Sequence, residues 1–164
     1  MKILLLSGSS GVGKTKIAWE LCKDENFNLI QSFTDRPKRS AGKYSDHQFV
    51  SKAIMKFILS YDVVASTTID GYHYCSTFRQ FDDKKINVYV VDKQGIKDVK
   101  KSFKDAHFFS VLIIRDNINI DQSRKERNIV IPTIQDVDYV LKNNSDIQSI
   151  VENFKQKILS TFGE

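Results

Sequence analysis

The run Gly8-Ser9-Ser10-Gly11-Val12-Gly13-Lys14-Thr15 carries the most readable chemistry in this chain. A glycine, four residues, and then Gly-Lys-Thr is the Walker A spacing of a phosphate-binding turn set between a strand and a helix. The glycines let the backbone curl until successive N–H groups point inward at phosphate oxygens, and the start of the following helix adds positive partial charge. All eight residues then cradle a nucleotide phosphate chain: Lys14 reaches the β- and γ-phosphates, and the Thr15 hydroxyl serves as a ligand for Mg2+. The spacing implies ATP and Mg2+ as cofactors.

A second cationic cluster follows in Ser32-Phe-Thr-Asp-Arg36-Pro-Lys-Arg39, with Asp46-His47-Gln-Phe-Val-Ser51 shortly after it. Two guanidinium groups three residues apart can grip one phosphate through forked, charge-assisted hydrogen bonds. An acceptor phosphate is already an oxyanion at neutral pH, so attack on a second phosphoryl group needs no side-chain base. Positioning and charge cancellation carry such a reaction.

In this order the segments resemble guanylate kinases, whose members carry S-x-T-T-R-x-P-R, D-Y-x-F-V-S, G-x-Y-Y-G-S and D-x-D-x-Q-G. The last two correspond here to Gly71-Tyr-His-Tyr74-Cys-Ser76 and Val90-Val-Asp92-Lys-Gln94-Gly95. The resemblance covers nearly the whole chain. It implies that Arg36, Arg39 and Tyr74 hold the acceptor phosphate, with His47 at the place of a family tyrosine, while Ser32, Ser76 and Asp92 face the acceptor base. Arg124 and Arg127 fall where the family has lid arginines, which with Lys14, Arg36 and Arg39 make up the catalytic set, and Asn143 falls where an asparagine lines the adenine pocket. Three departures stand out: His47 for tyrosine, Val90 for the first aspartate of D-x-D, and Ala65 where counting back from Tyr74 and Ser76 puts the glutamate that reads guanine. A shifted register would bring in Asp62, and Thr67 and Thr68 lie nearby. The implied activity is transfer of a phosphoryl group from ATP to a nucleoside monophosphate, GMP-like, dGMP-like or another, giving the diphosphate and ADP. Two readings stay open beside it. One is a kinase acting on a modified or pyrimidine deoxynucleotide or on a base in DNA; the other is a catalytically silent binding module of guanylate-kinase type.

The elements that must position these residues alternate strand and helix. Lys2 to Ser7 is a continuous apolar run ending at Gly8, the pattern of a strand buried on both faces, and Ile17, Ala18 and Leu21 recur at helical spacing after the turn. Phe27 to Phe33 reads as one strand and Asp35 to Asp46 as a loop, with Ser51 capping a helix that runs to Leu59. Asp70-Gly71 joins strands at Asp62–Ile69 and Tyr72–Ser76 as a hairpin. Further strands are expected at Ile86–Val91, Phe108–Ile114 and Asp138–Leu141. Helices are expected at Gln94–Phe103 and at Ile147–Leu159, the latter opened by Ser145 or Asp146. Alternation of this kind predicts an α/β, three-layer P-loop NTPase fold with a mostly parallel central sheet. It would carry a small mixed-β insert for the monophosphate at 32–83 and a short lid at 120–135, all within one domain whose core is 1–31 and 84–164.

With 164 residues the chain suits a single domain. The formal net charge of +5 suits an anionic partner, a nucleotide or nucleic acid, without separating the two. Cys22 and Cys75 have no metal-like or redox spacing and read as packed thiols. The opening KILLLS is too short for a secretory signal, and no apolar run spans a bilayer, so a cytoplasmic monomer or homodimer is expected.

Overall fold

The computed structural model describes residues 1–38, 44–116 and 130–163. Its centre is a five-stranded, wholly parallel sheet. β1 (Lys2–Ser7) lies between β7 (Ile86–Val90) and β8 (His107–Ile114), β2 (Phe27–Ile30) flanks β7, and β9 (Tyr139–Lys142) flanks β8. Ile3, Leu4, Leu5 and Leu6 are all fully buried, as a central strand covered on both faces requires. The alternation of strand side chains divides them. Leu4 and Leu6 pack with Ile17, Ala18 and Leu21 of α1 (Lys14–Leu21) and with Ile150, Phe154 and Ile158 of the last helix. Ile3 and Leu5 pack on the other side with Ile96 and Val99 of α3 (Lys93–Ser102) and with Val64 and Ala65. The three expected layers are therefore present.

Two of the predicted helix starts agree with the caps, at Ser51 and at Asp146. Ser51 Oγ accepts from Ile54 N–H at 3.2 Å to open α2 (Lys52–Leu59). Of the two candidates for opening α4 (Ile147–Phe162), Asp146 is the cap, taking the N–H groups of Gln148 and Ser149, and the helix ends in left-handed Gly163. Asp92 caps α3, its Oδ1 accepting from Gly95 N–H at 2.7 Å. Each bond satisfies a first-turn donor that the helix itself leaves open.

A second, mixed sheet runs β4 (His47–Phe49), β3 (Ser32–Thr34), β6 (Tyr72–Thr77), β5 (Val63–Ile69). The β5–β6 hairpin turns at Asp70 (φ 52°) and Gly71 (φ 77°), the two positive φ values that an Asp-Gly turn accommodates. Two features differ from the sequence expectation. Phe27 to Phe33 is two strands, because the chain leaves the parallel sheet at Gln31 and enters the mixed one at Ser32. The break is held by Gln80 Nε2, which donates to Gln31 O at 2.6 Å, and by Gln31 Nε2, which donates to Ser45 O at 2.8 Å. Residues 47–49 also form a strand, paired in parallel with β3. Among the described residues no helix is long and apolar enough to cross a membrane.

Candidate active site

The strand order reverses at β1: the chain passes from β1 out to the edge strand β2, returns to β7, and then crosses to β8 on the far side. Such a switch leaves a crevice at the carboxyl end of the strand, and the Gly8–Thr15 turn occupies it. Gly8 (φ 146°) has no room for a side chain, since a Cβ there would meet Ile113 O at 2.4 Å. Gly13 (φ 98°) is equally confined, because a Cβ would stand 2.4 Å from Asn143 Nδ2. That amide donates to Val12 O at 2.7 Å from beneath the turn. Lys14 Nζ donates to Ser9 O at 2.8 Å, lying along the turn. Thr15 Oγ1 donates to Asp46 Oδ1 at 3.1 Å, linking α1 to the mixed sheet.

The opposite side of the cleft carries Arg36. Its backbone N–H donates to Thr34 Oγ1 at 3.2 Å, and its guanidinium carbon stands 5.5 Å from the Phe49 ring centroid. Arg36 Nε and Nη1 are both buried and have no hydrogen-bond partner among the described residues. Buried charged donors left open cost well over a neutral pair, so this group is built to receive an acceptor. The preceding Asp35 takes the His73 backbone N–H at 2.8 Å and lies 3.0 Å from its Nδ1, which ties the exit of β3 to β6. Burial would raise the Asp35 carboxyl, but the His73 bonds outweigh it and hold the group below the usual range.

His47 packs between Tyr74 (ring centroids 5.2 Å apart) and the edge of Phe49, with Nδ1 2.7 Å from Ser32 Oγ. Burial pushes its pKa below the ordinary value against the pull of Asp46, and the Arg36 charge adds to the lowering. The ring is therefore neutral at pH 7. Nε2 stands 3.7 Å from Asp46 Oδ1, while Nδ1 and the Ser32 hydroxyl share a hydrogen bond whose donor depends on the ring's tautomer.

One cleft of about 720 Å³ brings the two sides together. It is lined by the glycine turn with Lys14 and Thr15, and by Ser32, Arg36, His47, Tyr74 and Asp92. Ser9, Ser10 and Gly11 share the wall, whereas Val12 is in the core and Asn143 lies under the turn. Ser76 faces the same way along β6 as Tyr74, yet is fully buried behind the surface, its hydroxyl beside that of Tyr89. Arg39, Arg124 and Arg127 lie outside the described residues; of the expected lid, 130–135 are described, and Val130, Ile131 and Pro132 border the cleft. Ala65 lines it directly opposite Ser76 in the hairpin register.

Sequence reasoning assigned no role to Asp46 or Tyr89. Asp46 stood in a motif that was read only for its neighbours, and its bond to Thr15 spans 31 residues. Tyr89 lines the cleft while only 4% exposed. Its signal was a lone aromatic in the strand Ile86–Val90. Burial raises its phenol well above the usual tyrosine range, with the neighbouring Ser76 hydroxyl opposing, so it acts as a neutral hydroxyl. Burial likewise pushes the thiols of Cys22 and Cys75 up, to about 12 and about 11, which removes both as nucleophiles at neutral pH.

No protein-family model matches the chain. It is 27% identical over 116 residues to the guanylate kinase of Clostridium tetani (strain Massachusetts / E88), a match covering 67% of this chain and 56% of that protein. The chain thus spans little more than half the length of this relative. The crystal structure of guanylate kinase from Anaplasma phagocytophilum superposes with a TM-score of 0.69, covering 97% of this chain and 85% of that one at 19% identity, which shows a shared fold.

Proposed function

We propose that this chain, whose sequence and fold support a place in the guanylate kinase family, transfers the terminal phosphoryl group of ATP to a nucleoside monophosphate. The observation that carries this reading is the single cleft in which the glycine turn and the unpaired buried donors of Arg36 both open. Two anion sites across one cleft suit a reaction between two phosphorylated molecules.

The turn fits a triphosphate, since positive φ at Gly8, Gly11 and Gly13 curls its backbone as a phosphate-binding turn requires, and the turn lines the cleft. Lys14 exchanges its bond to Ser9 O for β- and γ-phosphate oxygens, and Arg36 forks onto the acceptor phosphate. An acceptor oxygen forms the new O–P bond as the bond from the γ-phosphorus to the β-bridging oxygen breaks, and the electron pair leaves on ADP. The two cations offset the repulsion between the polyanions and the charge spread over the transferring group. Thr15 Oγ1 and the Asp46 carboxylate, already 3.1 Å apart, are hard oxygen donors suited to hold Mg2+. Mg2+, when bound, neutralises phosphate charge. No group of three or more metal-ligating side chains occurs among the described residues, so phosphate oxygens and water would complete the shell.

ADP release measured over all ribo- and deoxynucleoside monophosphates tests the reading, with Lys14→Ala as control. The variant is expected to lose turnover by at least about a hundredfold while keeping its circular dichroism spectrum, because the side chain lies in the cleft and outside the core. Full activity in Lys14→Ala, or no turnover of any monophosphate by the parent, would sink it.

A further inference from the structure

One wall of the cleft belongs to the acceptor side and carries no free charge. Ala65, Thr67 and Ile69 alternate along β5 and all line the cleft, with Thr67 opposite Tyr74 and Ala65 opposite Ser76. Tyr89 of β7 lines it too and packs in one cluster with Ala65. The pairing is continuous from Ala65 to Ile69, and its irregularity falls earlier, between Val63 and Ala65. No slip therefore brings a carboxylate to this wall. Asp62 is exposed, outside the cleft lining, and its carbonyl accepts from Phe78 N–H.

Among the described residues, the cleft's carboxylates are Asp46 and Asp92. Each has one oxygen engaged, Asp46 Oδ1 by Thr15 and Asp92 Oδ1 by Gly95 at the start of α3, and neither lies on β5 or β6. The wall itself offers a base methyl groups and hydroxyls: Ala65, Thr67, Ile69 and Tyr89, with the Ser76 hydroxyl behind them. Guanine presents two adjacent N–H donors on one edge, a pattern that a carboxylate satisfies with two oxygens and a neutral wall leaves partly open. Uracil and thymine present one N–H between two carbonyls. Hydroxyls donate to the carbonyls and accept from the N–H, and the Ala65 and Ile69 side chains suit the apolar edge of the ring.

We propose that Tyr89 is a specificity-determining residue on a base-selecting wall, and that the acceptor is a monophosphate bearing a 2,4-dioxopyrimidine, uracil or thymine, in preference to guanine. This rests on the kinase reading above for the reaction but not for the binding preference. A site lacking an acceptor for a buried donor discriminates by roughly tenfold or more.

The test uses the full chain with ATP and Mg2+, measuring kcat/KM for UMP, dTMP, GMP, dGMP, AMP and CMP by ADP release. The dissociation constant of each monophosphate is measured calorimetrically without ATP. UMP or dTMP is expected to exceed GMP and dGMP by at least about tenfold in both. Tyr89→Phe, which keeps the ring in the core, should shrink that ratio several-fold, and Ala65→Glu should move it toward GMP. A preference for guanine, adenine or cytosine monophosphates overturns the proposal and leaves the kinase reading intact, and so does a ratio unmoved by Tyr89→Phe. A dioxopyrimidine preference in binding with no turnover removes the kinase reading and upholds the base assignment. Failure to bind any monophosphate removes both.

Discussion

Replacing Asn143 by alanine separates two roles that one side chain could play. By resemblance the residue lines an adenine pocket; in the structure it is a buried strut, its Nδ2 donating to Val12 O at 2.7 Å and its own N–H to Ile114 O at 2.8 Å. Removing the amide deletes one buried hydrogen bond and leaves the Val12 carbonyl unpaired, at a cost of about 1–3 kcal/mol. For a chain of this size that is a fall in Tm of about 2–12 °C. The same amide also excludes a Cβ at Gly13, so the two positions are coupled. Gly13→Ala alone carries both the 2.4 Å clash and the strain of φ 98°, whereas in the Asn143→Ala background only the strain remains. The double variant should be less destabilised than the sum of the singles by about 0.5–3 kcal/mol. Thermal unfolding of the four proteins without nucleotide measures this, alongside kcat/KM with ATP and with GTP as donor. A strut lowers Tm and affects both donors alike. An unchanged Tm in Asn143→Ala, with the ATP-to-GTP ratio falling tenfold or more, would refute the strut and restore the adenine role.

Gly8→Ala drives a methyl group into the Ile113 carbonyl inside the parallel sheet, where neither backbone can yield. It should cost at least about 2 kcal/mol and lower Tm by about 4–8 °C in a melting experiment. Arg36→Lys keeps the charge but loses the fork, and is expected to raise the KM for the acceptor monophosphate by about tenfold or more, with the KM for ATP nearly constant. A change below twofold in steady-state kinetics would deny Arg36 its phosphate. His47 has its pKa lowered in the fold, chiefly by burial, so the unfolded chain binds the proton more readily. Stability at this group is therefore complete above pH 6.5, the unfolded value, and declines as the pH falls from there toward the lower folded value. Between pH 7.5 and pH 5 the Tm of the parent should drop more than that of His47→Gln, and parallel melting curves would contradict this.

The parts of the site that can be read in the chain are those whose causes are local. The glycine turn occupies eight consecutive residues, and its strand announces itself because Ile3 to Leu6 must be apolar on both faces of a covered sheet. Ser51 and the Asp70-Gly71 pair act within three residues of their partners, so cap and hairpin were equally legible. The break at Gln31 was not. Ile30 and Phe33 are both apolar, but they belong to different sheets, and no residue type marks a change of sheet when both sides of the change are packed. The strand at His47–Phe49 is only three residues long and takes its identity from its pairing with β3.

The acceptor wall shows the same division at the level of function. Ala65 meets Ser76 through hairpin register, and Tyr89 joins them from the other sheet, so the chemistry offered to a base exists only after two sheets have packed. The count back from Tyr74 and Ser76 to Ala65 follows the pairing, because the hairpin is regular from Ala65 to Ile69 and a regular ladder preserves spacing. Counting could not bring in Tyr89, which is placed by burial between the sheets and not by its distance in sequence from any motif. Phosphate recognition needs a curled backbone and a few cations, which a short segment encodes. Base recognition needs an edge matched by groups from several strands, and a few substitutions there alter the substrate while the fold and the phosphate machinery stand unchanged.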